Sequence, residues 1–336
     1  MNRNNGSGKL MLRENLGRRN KLIRSKIMTD LPTIKLPEDF NYIAAFLTFA
    51  CTLRCDYCIN HHGGDLKKGR WIPGEDWVRG LNRLRANTSL PITLQGGEPT
   101  VHKHFYQIVQ GINPNMPLDL LTNLEVPTDT FMQYIPKERF KRNSPYASIR
   151  VSYHYKQSSR SQLLQKVKIL NDNGYSIGIW IVDHPETRQH TDETVRMAKD
   201  MNIDIRLKEF LGPYKGKVYG SFAYPEAVDS HYLSKCECKT SELLIGPEGN
   251  IYRCHSDLYA ARLPIGNLLD PDFSEKQLGQ WASCAVYGQC NSCDIKVKYD
   301  RFQIHGHSSV KIRDISKPYT PNKKYVANVT NTYGKQ

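Results

Sequence analysis

Six short apolar runs punctuate the first two thirds of the chain, at 42–50, 91–95, 117–122, 147–152, 175–182 and 203–208. The first, Tyr42 to Ala50, shows no alternation with polar residues, the pattern of a strand covered on both faces, as in a parallel sheet. Between the runs lie segments of helical character around 73–85, 101–111, 127–134, 159–173 and 190–201. Leu163, Leu164, Val167 and Leu170 recur at helix spacing, and Asn173-Gly174 supplies a stop.

Strands alternating with helices predict a parallel α/β sheet with right-handed crossovers. About 170 residues hold six βα units and fall short of the eight of a full barrel, which typically takes about 250. Periodicity leaves an open doubly wound sheet and a partial (β/α)6 barrel both standing. In either, the active site lies at the C-terminal ends of the strands.

After residue 210 the texture changes. Residues 211–235 are rich in Gly, Pro and Tyr and read as a linker, and apolar 242–246 and 250–254 flank Pro247-Glu248-Gly249, a hairpin turn. The expected organisation is a basic tail at 1–35, the α/β unit at 36–210, the linker, a small cysteine-rich domain with a β-hairpin at 236–300, and a basic tail at 301–336.

Charge refines this division. The net charge of +14 first suggests nucleic acid. Residues 1–29 carry eight Lys/Arg against one acid and residues 308–336 six against one, so the tails hold nearly all of the excess. A balanced body without an aromatic-rich RNA motif disfavours nucleic acid. Such tails are usually solvated, and less often dock an acidic partner. No apolar stretch reaches the roughly 18 residues of a membrane span, and the N-terminus lacks a secretory apolar region.

Nine cysteines fit a disulfide framework poorly, being odd in number. Their grouping is more informative. Cys51, Cys55 and Cys58 follow the first strand, where function is expected. An electron-transfer [4Fe–4S] cluster uses four Cys ligands. Three leave one metal position open, as in a catalytic centre. Zinc is the alternative, with His61 or His62 as fourth ligand, and simple structural burial is a third reading. Gln95-Gly96-Gly97-Glu98-Pro99 follows the second strand, and its two glycines allow close backbone approach to a ligand.

Together these residues resemble the radical S-adenosylmethionine (SAM) superfamily. Cys51-Thr-Leu-Arg-Cys55-Asp-Tyr-Cys58 is similar to its signature loop, including aromatic Tyr57, and Gly96, Gly97, Glu98 and Pro99 to its GGEP motif. The resemblance implies a partial barrel and a catalytic [4Fe–4S] cluster on Cys51, Cys55 and Cys58. Its open iron would chelate SAM, and reduction would cleave SAM to methionine and a 5′-deoxyadenosyl radical. Glu98 and its neighbours would lie by the SAM amino group. Thr122, Asn123 and Ser152, ending the third and fourth strands, stand where the family places polar groups near the methionine carboxylate or ribose; the alternative is strand-end capping.

The later cysteines, Cys236, Cys238, Cys254, Cys284, Cys290 and Cys293, resemble a twitch/SPASM extension, with fewer cysteines than the full SPASM pattern. That likeness implies an auxiliary [4Fe–4S] cluster on Cys238, Cys254, Cys290 and Cys293, leaving Cys236 and Cys284 over. A zinc ribbon is the competing reading. Candidate acid–base groups sit at strand ends: Tyr153, His154, Asp183, His184, Lys208 and Glu209, with His154 and Asp183 foremost.

The function implied is hydrogen-atom abstraction from a peptide or small metabolite, with net oxidation assisted by the auxiliary cluster. An external electron donor such as flavodoxin or ferredoxin would serve it, and reduced thiols point to the cytoplasm. The alternatives are a protein- or RNA-modifying radical enzyme, or a non-catalytic zinc or iron–sulfur binding protein.

Overall fold

The structure, a computed structural model, describes residues 31–58, 71–86, 89–228, 234–298, 308–314 and 325–326. Each apolar run becomes a strand: β1 (Tyr42–Thr48), β2 (Ile92–Gly96), β3 (Leu118–Thr122), β4 (Ile149–Tyr153), β5 (Ile177–Asp183) and β6 (Asp204–Glu209). Consecutive strands pair in parallel from β1 to β6. The crossovers carry α1 (Gly74–Leu81), α2 (Phe105–Gly111), α3 (Thr128–Tyr134), α4 (Arg160–Asp172) and α5 (Arg188–Asp200). This is the partial barrel expected.

The strands present two faces because side chains alternate along them. Ile92, Leu94, Leu118, Leu120, Ile149, Val151, Ile179 and Ile181 face outward and pack with helix residues such as Phe105, Phe131, Val167 and Leu170. The residues between them, Thr93, Gln95, Asp119, Leu121, Arg150, Ser152, Trp180 and Val182, face the concave side. That interior is mixed: Ala44 and Phe46 of β1, with Leu244 beside Ala44, make one side apolar, while Thr93, Gln95, Asp119 and Arg150 make its middle polar. Asp119 joins Arg142 and Arg150 there, both ion pairs being buried.

The hairpin lies somewhere the sequence does not announce. β7 (Ser234–Thr240) leads into β8 (Glu242–Ile245), which turns through Gly249, at φ +78°, into β9 (Asn250–Tyr252). β8 pairs in parallel with β1, from Glu242 beside Tyr42 to Ile245 beside Ala45. With β10 (Gly266–Asn267) the sheet reaches nine strands, in the order β10-β9-β8-β1-β2-β3-β4-β5-β6. The hairpin therefore extends the barrel sheet and covers the edge of β1. A buried ion pair between Lys298 and Glu242 fastens it.

The cysteine-rich part is a separate three-stranded sheet, with β7 between β11 (Ala282–Tyr287) and β12 (Val310–Asp314). β12 corrects the expectation of a tail from residue 301. Val310 and Ile312, two apart, are buried with Phe222, Tyr224, Tyr287 and Ile295, a strand pattern too short to stand out among polar neighbours. The expected linker also holds structure, including a hairpin of Gly212–Tyr214 and Lys217–Tyr219. Among the described residues no helix is long and apolar enough to cross a membrane.

Candidate active site

Cys51, Cys55 and Cys58 sit on the loop that leaves β1 at its C-terminal end. The Cys58 N–H donates to the Cys55 carbonyl at 3.1 Å, and the Leu53 N–H to Cys51 Sγ at 3.4 Å. Burial, with Cys58 and Cys51 alongside, pushes the Cys55 thiol up to about 12. Burial raises Cys51 as well, against the Leu53 N–H, and Glu98 and Cys58 add to the rise. Thiols that resist ionising beside one another form a donor set that a bound cation would stabilise as thiolates. His61 and His62 lie outside the described residues.

The Gly-Gly turn is pressed against this loop. The Gly97 N–H donates to the Thr48 carbonyl at 2.7 Å and the Glu98 N–H to the Ala50 carbonyl at 2.8 Å. A Cβ on Gly96 would stand 2.1 Å from Thr48 O, and one on Gly97 2.3 Å from Ala50 O. The glycines are thus required by the approach of protein backbone, whatever ligand they also meet.

Glu98 is 1% exposed and fully occupied. Its Oε1 accepts from Thr100 N–H, the Thr100 hydroxyl and the Thr122 hydroxyl, at 3.1, 2.6 and 2.7 Å. Its Oε2 accepts from Asn123 N–H at 2.6 Å. Burial raises its pKa, and these donors oppose the rise. Pro99 opens the short turn that Glu98 caps. Asn123 then reaches back, its Nδ2 donating to Thr52 Oγ1 at 2.8 Å and approaching Cys51 Sγ at 3.9 Å. Cysteine loop, Gly-Gly turn and the end of β3 form one hydrogen-bonded unit.

Residues 46–198 match the radical SAM superfamily. The chain carries a radical SAM domain. One relative is 26% identical over 195 residues, 54% of this chain: molybdenum cofactor biosynthesis protein moc-5 of Caenorhabditis elegans. The match spans 32% of that protein's length. A solved structure of hexahistidine-tagged anSMEcpe with bound AdoMet has a TM-score of 0.50 at 15% identity. The similarity covers 73% of this chain and 80% of that one, and shows the fold.

The radical SAM domain places the remaining candidates at its mouth. Ser152 lies on the concave face near the end of β4. His154, just beyond it, accepts or donates a 3.0 Å hydrogen bond at Nδ1 with the Tyr57 hydroxyl. Burial, then the nearby Lys208 ammonium, lowers its pKa to about 4, so it is neutral near pH 7. Asp183 is fully buried at the end of β5 and pairs with Arg188 at 3.2 Å, an anchor for the start of α5.

The auxiliary cysteines group differently from the expectation. Cys236, Cys238 and Cys284 have sulfur atoms within 4.8 Å of one another, the one such cysteine group among the described residues. Cys236 stands opposite Cys284 in the β7–β11 register, and Cys236 and Cys238 share a strand face. Thus both leftover cysteines join Cys238, while Cys254, Cys290 and Cys293 stand outside that tight group. The i, i+2 spacing of Cys236 and Cys238 within a strand was the available signal. Cys254 caps α6 (His255–Tyr259), and Cys293 lies on α7 (Ser292–Ile295). Asp294 holds the two together, accepting from His255 N–H at 3.0 Å and bonding His255 Nδ1 at 2.8 Å.

Proposed function

We propose that this chain is a SAM-cleaving radical enzyme acting on a peptide or small metabolite, with Cys51, Cys55 and Cys58 holding its catalytic [4Fe–4S] cluster. The observation that carries this reading is the single unit of cysteine loop, Gly96–Pro99 turn and Asn123 at the C-terminal ends of β1 to β3. A bound cluster, once reduced, would supply the electron that cleaves SAM to a 5′-deoxyadenosyl radical.

The chain's own residues do the rest. Glu98 locks the turn to β3 through the Thr122 hydroxyl and the Asn123 N–H, and leaves Gly96 and Ser152 at the strand ends as the SAM-facing rim. Asn123 supports Cys51 through the loop. Tyr57, on the cysteine loop, and neutral His154, beyond β4, are joined by a 3.0 Å hydrogen bond that orients the loop against the strand ends. The group of Cys236, Cys238 and Cys284, completed by a further thiol such as Cys254 or Cys290, supports a twitch-like auxiliary cluster and a net oxidation. The relative's name favours a small-molecule substrate over a peptide. An external flavodoxin- or ferredoxin-type donor is part of the same proposal.

The test is 5′-deoxyadenosine formation by anaerobically reconstituted protein with SAM and a strong reductant. Wild-type protein should form it and Cys55→Ala should not. Iron-loaded wild-type protein that makes none would overturn the reading in favour of a zinc or electron-carrier protein.

A further inference from the structure

The concave interior holds a cation that its surroundings only half neutralise. Arg150, on β4, is 1% exposed. Its Nη2 donates to Asp119 Oδ2 at 3.2 Å and to Thr93 Oγ1 at 3.4 Å. Its Nε and Nη1 are buried and have no hydrogen-bond partner among the described residues. A guanidinium offers five N–H donors, so three of them are unmatched here.

Asp119 cannot neutralise it alone, because it serves a second arginine. Arg142 reaches Asp119 Oδ1 with Nε at 2.8 Å and Nη2 at 2.6 Å. The Tyr146 hydroxyl adds a third donor, to Oδ2 at 3.1 Å. These two guanidinium groups and one carboxylate sum to a net positive charge in a buried site. Burying unmatched charge is costly, and the usual remedy is a counter-ion with its own acceptors. The Tyr146 ring lies against both guanidinium groups, at 4.8 Å and 5.5 Å.

The register shows which way this site can open. Arg150 pairs with Leu121 and lies two residues before Ser152 on the same face, roughly 7 Å deeper in the barrel. Gln95, just before the Gly-Gly turn, faces the same interior, and its Nε2 is likewise buried without a partner among the described residues. Lys208 stands on that face near the mouth, two pairs beyond Trp180 and Arg206 in the β5–β6 register. Donors and positive charge therefore run from the mouth to Arg150.

We propose that Arg150 receives the anionic arm of the substrate, a carboxylate or phosphate monoester that enters the barrel past Ser152. This rests on the SAM-cleaving reading for the reacting end, while the anion site is measurable without it. The free Nε–H and Nη1–H donors lie on either side of the Nη2 that Asp119 and Thr93 engage, so an anion oxygen would meet one of them singly.

The test uses full-length reconstituted protein at fixed ionic strength, titrated with inorganic phosphate, methyl phosphate and acetate. Melting temperature and the fluorescence of buried Trp180, read against a Trp180→Phe control, report binding. Saturable stabilisation by methyl phosphate or acetate is expected, weakened at least about tenfold in Arg150→Met. Asp119→Asn removes the competing carboxylate and should tighten anion binding, whereas a purely structural pair would only lose stability. An insensitive wild type, or undiminished binding in Arg150→Met, would overturn the proposal. So would binding of inorganic phosphate but neither organic anion, which would mark a closed ion site. Anion binding without 5′-deoxyadenosine formation would leave this site standing and remove the radical reading; the converse result would remove only the site.

Discussion

The carboxylate of Glu98 accepts the backbone N–H of Asn123 at 2.6 Å, across 25 residues of chain. One buried side chain thereby sets the position of the Gly-Gly turn relative to the end of β3. Through the Asn123 amide it also sets the cysteine loop.

Glu98→Gln keeps the shape but replaces one oxygen with a donor facing donors. At least one buried hydrogen bond is lost and one N–H or O–H orphaned, a cost of about 1–3 kcal/mol. Anaerobic denaturant unfolding should show that loss, and SAM affinity should fall with it.

Gly97→Ala should be worse for assembly than for any single contact. Its Cβ meets the Ala50 carbonyl at 2.3 Å, backbone that cannot step aside without moving the cysteine loop. Iron content after reconstitution should drop well below the wild-type value, even if far-ultraviolet circular dichroism shows an unchanged fold.

Asn123→Leu removes an amide donor that approaches Cys51 Sγ at 3.9 Å and holds Thr52. An N–H near a ligating sulfur stabilises the more negative, reduced cluster, so its loss should lower the midpoint potential. Redox titration followed by electron paramagnetic resonance would read the shift, and Asn123→Gln should restore part of it.

The auxiliary cysteines make a comparative prediction. If Cys236, Cys238 and Cys284 hold metal, changing any one of them to Ser should remove about four irons per chain while sparing the catalytic cluster. Iron and sulfide analysis, beside the same change at Cys293, would separate this grouping from the one expected from spacing.

His102 and His154 both have pKa values lowered by burial from 6.5 to about 4. Between those values the unfolded chain binds more protons than the folded one, so stability rises with pH there. Melting temperature should therefore fall as pH drops from about 6.5 towards 4. His102→Gln should flatten that slope, since it removes one of the two groups.

Much of this protein could be read from the sequence because the decisive interactions are local. Apolar runs such as Ile177–Asp183 become strands since burial on both faces asks only for consecutive apolar residues. The Cys51-x3-Cys55-x2-Cys58 loop carries its donors within eight residues, so its chemistry is visible before any fold. The tertiary structure decided what depends on distant segments meeting. Parallel pairing of β8 with β1 joins residues about 200 apart in sequence, and no local pattern specifies it. Cys284 finds Cys236 only through the β7–β11 register, which spacing cannot encode. Arg150 reads in sequence as one basic residue in an apolar run; only the closing barrel turns it inward, beside an aspartate already engaged by Arg142.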